Sequence, residues 1–209
     1  MQGNGKRLSN PHNRAATRKL RSTKMPGWYS FRADNGLEVR VRRECPEDAP
    51  YLVDIFEHMS PDSRYQRFRE TLVQPDPQLM WREAQHMAQL GEPEGAAWIA
   101  FADLPDRPDA PIGGARYVMV EDGVAELGVA VRDDLQHLGI GSHLLVYVLD
   151  QAKAAGLEKV VATFQSNNRA VWQMLQYSPY HVTWDTRGMH TDVVIHLQPR
   201  IRKDQGQAV

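Results

Sequence analysis

Leu37, Val39 and Val41 alternate with Glu38, Arg40 and Arg42, the period-two pattern of a strand with one buried face. Pro46-Glu47-Asp48 then places a proline near the first helical position and acids at the positive end of a helix dipole. Leu52, Ile55, Phe56 and Met59 follow at helical spacing. Ser60-Pro61 caps and opens a second short helix carrying Tyr65 and Phe68, and residues 77–90 offer a third. From Ala96 the period changes. Residues 97–102 form an apolar strand, and 103–111, with three prolines, read as a hairpin loop. Residues 112–120 and Val124–Val131 read as an antiparallel pair around the turn Glu121-Asp122-Gly123. After an irregular turn over 133–141, residues 142–155 put Leu144, Leu145, Val148, Leu149 and Ala152 on one helical face, and Gly156 stops the helix. A strand over 160–164, a helix over 169–175 and strands near 181–184 and 192–197 close the pattern. This order predicts an α/β (α+β) domain, a mixed and mostly antiparallel sheet with helices on both faces.

The 209 residues suffice for one domain with a sizeable core, and 42% hydrophobic with 24% charged residues fits a globular protein. No apolar run approaches the ~18 residues needed to span a bilayer, so no membrane partner is expected. No apolar leader is visible, and the lone Cys45 excludes an internal disulfide or a cysteine-based zinc site. These features suit the cytoplasm. Charge is distributed unevenly. Of the 25 Lys and Arg, eight lie in residues 1–33 (Lys6, Arg7, Arg14, Arg18, Lys19, Arg21, Lys24 and Arg32), where none of the 26 acids falls. The other 17 bases leave the remainder at −9. Residues 1–27 are therefore expected to be a disordered basic arm on an acidic domain of residues 28–199, with 200–209 a flexible tail. The arm suits non-specific contact with nucleic acid, because it carries no docking helix for sequence reading. A targeting peptide is the other reading, weakened by the scarcity of large apolar residues. Nothing in the sequence points to an oligomeric state.

The chemistry concentrates where Val124–Val131 runs into Gln136-His137-Leu138-Gly139-Ile140-Gly141 and the following helix. A glycine turn that opens a helix presents unpaired amides at the positive end of the dipole, which is an anion site. Gly139 and Gly141 let a phosphate approach the backbone, although the same residues also serve an ordinary strand-to-helix connection. A P-loop would need Lys and then Ser or Thr after the last glycine, whereas Gly141 is followed by Ser142 and His143. A dinucleotide fingerprint would need a third glycine where Leu144 stands. Cys45 has no nearby histidine and reads as an ordinary thiol. His137 and His143, six apart, form no metal motif.

Gln136, Gly139 and Gly141 complete a Q/R-x-x-G-x-G/A pattern, and Ser60, Ser63, Tyr65, Arg67 and Phe68 complete S-x-x-S-x-Y-x-R-F. On these residues the chain, over roughly 37–198, resembles the GNAT superfamily of N-acetyltransferases, in particular the GNAT domain of bacterial protein-lysine acetyltransferases. The resemblance implies a GNAT fold with a splayed coenzyme A cleft, acetyl-CoA as cosubstrate, and no metal. It implies that the pantetheine arm pairs with the backbone around Val129, Ala130 and Val131. The pyrophosphate would rest on Gln136, His137, Leu138, Gly139, Ile140, Gly141 and Ser142, and Asn168 would contact the arm. Glu126 stands where that type places its catalytic glutamate. The chemistry needs such a base, because an amine of pKa ~10.4 is mostly ammonium at neutral pH and must lose a proton before attack. A backbone N–H such as that of Val129 would polarise the carbonyl. Many relatives protonate the departing thiolate with a tyrosine on the helix after Asn168. Residues 171–176 hold Trp172 and no tyrosine, which leaves Tyr177 as the candidate and Tyr180 or water as alternatives. The implied acceptor is a primary amine, a protein lysine in that type. A small-molecule amine and an acyl-CoA-binding regulatory domain without turnover are the other readings.

Overall fold

The computed structural model describes residues 27–68 and 75–198. Eight strands are present among them: β1 (Trp28–Arg32), β2 (Glu38–Arg43), β3 (Gly95–Leu104), β4 (Arg107–Glu121), β5 (Val124–Val131), β6 (Lys159–Gln165), β7 (His181–Arg187) and β8 (His190–His196). They form one sheet in the order β1-β2-β3-β4-β5-β6-β8-β7, antiparallel at every step except β5 to β6. Five α-helices accompany it: α1 (Ala49–Glu57), α2 (Pro61–Phe68), α3 (Pro77–Ala88), α4 (Ile140–Ala154) and α5 (Arg169–Gln176). The expected basic arm, apart from Gly27, and the expected tail at 200–209 lie outside the described residues.

The apolar run in β3 reflects burial on both faces. Trp98, Ala100 and Ala102 belong to the main core with Val39 and Val41, while Ile99 and Phe101 pack on the opposite side with Ile55 and Met59. Helix α4 covers the main core with Ile140, Leu144, Leu145, Val148, Leu149 and Ala152, all buried. Each large side chain removed from water in this way contributes on the order of 1.5–3 kcal/mol. On the other side α1 packs against α3, through Ala49, Ala84 and Ala88.

Three expectations are corrected. The hydrophobic pattern assigns no strand before Leu37, yet Trp28–Arg32 pairs with β2 over its whole length, Trp28 opposite Arg42 and Arg32 opposite Glu38. The expected hairpin loop over 103–111 is mostly strand: β4 starts at Arg107, and Ala110 and Pro111 are paired with Ala102 and Phe101. Register shifts between Ala100 and Phe101 and between Ala102 and Leu104 accommodate residues that cannot donate to a ladder. Arg40 adds bonds to Asp103 at 2.8 Å and Asp109 at 2.7 Å across the connection. Finally, α4 starts at Ile140 rather than at 142, so Gly141 is in its first turn.

Candidate active site

β5 and β6 stay together for only three residue pairs, Val124 with Lys159, Ala125 with Val160 and Glu126 with Val161. Beyond these, β5 continues along β4 to Val131 and β6 continues along β8 to Gln165. The sheet therefore forks, with Glu126 as the last paired residue on β5. The fork opens a cleft of about 710 Å³, bounded by β5, the start of α4, α5 and the inner side of α2. Glu126, Val129, Ala130, Val131, Gln136, His137, Gly139, Ile140, Gly141, Ser142, Asn168 and Tyr177 all line it. Leu138 does not. Its side chain packs against the main core, and its carbonyl accepts the Asp34 N–H at 3.0 Å.

The start of α4 leaves backbone donors free. The helical bonding at this end begins with the His143 N–H donating to the Gly139 carbonyl at 3.1 Å. The amides of Ile140, Gly141 and Ser142 are thus first-turn groups without an intrahelical partner. Gly139 caps the helix at φ +77°, a left-handed conformation that a side chain strains. A Cβ there would also come within 3.0 Å of the Asp34 carboxylate, and one on Gly141 within 2.7 Å of the Met174 sulfur. The side chain of Gln136 faces inward and acts as a brace. Its Nε2 donates to the Val131 carbonyl at 3.2 Å, Asp133 Oδ1 at 2.9 Å and Ser63 Oγ at 3.3 Å, joining β5, the turn and α2. Asn168 caps α5 by accepting the Val171 N–H at 3.1 Å, and its Nδ2 donates to Gln66 Oε1 at 2.8 Å, which ties α5 to α2. Of the two candidate tyrosines, Tyr177 is 65% exposed and lines the cleft. The Tyr180 hydroxyl donates to Asp150 at 2.6 Å, and burial together with that carboxylate pushes its pKa up.

Asp34, Ser63, Gln66 and Arg67 also line the cleft, and sequence reasoning gave them no role. The S-x-x-S-x-Y-x-R-F pattern was the available signal for the α2 residues, but only the folded chain lays that helix against β5. Arg67 is the most telling of them. An idealised Cβ on Gly128 would lie 2.3 Å from its Nη2 and 2.7 Å from its Cζ, so the guanidinium covers this glycine. Desolvation, joined by the like charge of Arg116 and opposed by Glu126, draws its pKa down to about 10. It has no hydrogen bond or carboxylate within ion-pair reach among the described residues, whereas Arg116 faces Glu44 at 3.5 Å.

Burial pushes the Glu44 carboxyl up to about 7, against the opposing pull of Arg116. A folded pKa above the unfolded value of ~4.3 means that the native state holds this proton more tightly. Its contribution to stability is complete below the unfolded value and is lost as pH rises through about 7. The urea midpoint should therefore fall between pH ~5 and ~8 more steeply in the wild type than in Glu44→Gln. Parallel curves for the two proteins would mean that Glu44 stays ionised throughout.

The fork and the glycine-capped start of α4 thus open onto one cleft. A family model described as the acetyltransferase (GNAT) family matches residues 52–176; the chain belongs to this family and is an N-acetyltransferase. Among similar proteins, acetyltransferase PA5475 of Pseudomonas aeruginosa is 24% identical over 165 residues, covering 78% of this chain and 86% of that protein. The GNAT domain of S. lividans PAT superposes with a TM-score of 0.66 at 19% identity, covering 83% of this chain and 99% of the other. The yncA protein of Salmonella typhimurium, solved with its cofactor acetyl-CoA, superposes with a TM-score of 0.55 at 18% identity, covering 80% of this chain and 98% of the other. Among the described residues, no helix is long and apolar enough to cross a membrane.

Proposed function

We propose that this enzyme transfers the acetyl group of acetyl-CoA to a primary amine by direct attack, with Glu126 as the general base. The observation that carries the reading is the position of Glu126 at the fork, exposed, on the strand that leads to the free first-turn amides of α4. Those amides and the helix dipole suit the pyrophosphate of the donor, and the β5 backbone beyond the fork, around Val129 and Val131, suits its pantetheine arm. Contact of that arm with Asn168 would replace the bond to Gln66. Glu126 takes a proton from the ammonium, and the amine nitrogen bonds to the carbonyl carbon. The nitrogen of the adduct gives up its second proton to water as the C–S bond breaks, and the thiolate takes a proton from Tyr177, which solvent reprotonates, or from water directly. Tyr177 is preferred over Tyr180 because the latter's hydroxyl is held by Asp150.

The acceptor supported by the sequence resemblance is a lysine side chain in a protein. A small carboxylate-bearing amine is the second reading, favoured by the unpaired Arg67 beside the fork. Incubation with acetyl-CoA and a panel of amines and proteins tests the reading, with thiol release and mass spectrometry as readouts. Acetylated amine is the expected result. Tight acetyl-CoA binding without any acetylated product would reduce the protein to a binding domain.

A further inference from the structure

A second cavity, of about 480 Å³, lies between the sheet and the helices α1 and α3. Its walls are apolar, with Leu52, Phe56, Met59, Phe68, Met80 and Met87 prominent, and its charged groups are Arg67, Arg116, Glu44 and Glu83. It meets the forked cleft along Met59, Arg67, Gly128 and Ala130, which line both. Building on the assignment of Glu126 as base, we propose that this cavity receives the acyl acceptor, an α-amino acid with an apolar side chain, whose carboxylate binds Arg67.

Glu126, Gly128 and Ala130 alternate onto the same face of β5, so Glu126 and the glycine under the guanidinium are two residues apart, their backbones roughly 7 Å apart along the strand. An α-amino acid carries its amine and carboxylate on one carbon, and a hydrogen bond of ~2.8 Å at each end spans such a separation. The amine then faces the base and the cleft, while the apolar body fills the cavity behind. Charge selects the same ligand. A half-buried guanidinium that rests over the Phe68 ring at 5.3 Å and has no hydrogen bond or ion pair among the described residues favours an anion, and Glu44 is already opposite Arg116. A lysine side chain brings a second cation and no anion to this place. A donor whose acyl group ends in a carboxylate would satisfy Arg67 but leave the apolar walls uncovered, and apolar walls with a few convergent polar groups are the mark of a small-molecule site.

The test compares N-acetylphenylalanine with its carboxamide by calorimetry on the CoA-loaded protein, and phenylalanine with phenylalaninamide in turnover. The acid is expected to bind at least ~10-fold more tightly than the amide, and the amino acid to be favoured similarly in kcat/KM. Arg67→Met should erase both preferences and leave acetyl-CoA affinity unchanged, and Arg67→Lys should restore part of them. Equal binding of acid and amide, or a preference that survives Arg67→Met in a folded protein, overturns the assignment. A dependence on Arg67 seen only with succinyl-CoA overturns it too, by placing the carboxylate on the donor. Acid binding without any acetylated amine would remove the role of Glu126 and leave the cavity assigned. Acetylation indifferent to the carboxylate would do the reverse.

Discussion

Glu126→Gln lowers kcat on the order of 10²–10⁴-fold at neutral pH while acetyl-CoA affinity stays nearly unchanged. The split follows from where Glu126 sits. It is on the exposed side of β5 at the fork, whereas the first-turn amides of α4 that suit the donor phosphates lie beyond the other end of the strand. Glutamine preserves shape and removes the proton acceptor. The deficit should shrink as pH rises, because an amine of pKa ~10.4 is increasingly free without help. Steady-state rates between pH 6 and 10, with calorimetry of acetyl-CoA, check both parts. A variant with near wild-type rate at pH 7 would falsify the assignment.

Gly139→Asp should weaken coenzyme A binding by more than ~100-fold. Three costs coincide at this residue. Its φ of +77° strains any side chain. A Cβ there meets the Asp34 carboxylate at 3.0 Å. A new carboxylate also places negative charge at the helix start where phosphate would bind, so attraction by the dipole becomes competition. Gly139→Asn separates the terms, since asparagine tolerates the left-handed region better than most residues and adds no charge. The asparagine variant should retain much more affinity than the aspartate variant, with similar melting temperatures for the two. Unchanged CoA affinity in folded Gly139→Asp would move the phosphate site elsewhere.

Much of this protein was legible before folding. The strand Val124–Val131, the helix face Leu144, Leu145, Val148, Leu149 and the glycine turn between them are local features, read from period, side-chain shape and backbone freedom. That is why β5 emerged with the expected bounds; the candidate site residues, most of them carried over from the family resemblance, all line a single cleft except Leu138. The misreadings have a common cause. β1, and the part of β4 around Ala110 and Pro111, owe their strand character to pairing with the adjacent strand of a hairpin, and such pairing leaves no hydrophobic period of its own. What only the tertiary structure decided is where β5 and β6 separate, and what α2 brings to that place. Arg67 is 59 residues from Glu126 in sequence and reaches Gly128 because Gln136 and Asn168 hold α2 across the cleft. The sequence by itself determined most of the elements and the glycine turn that opens α4, because these follow from neighbouring residues. The fork, the guanidinium beside it and the apolar cavity behind it arise only when distant segments share space, because no run of neighbouring residues encodes them.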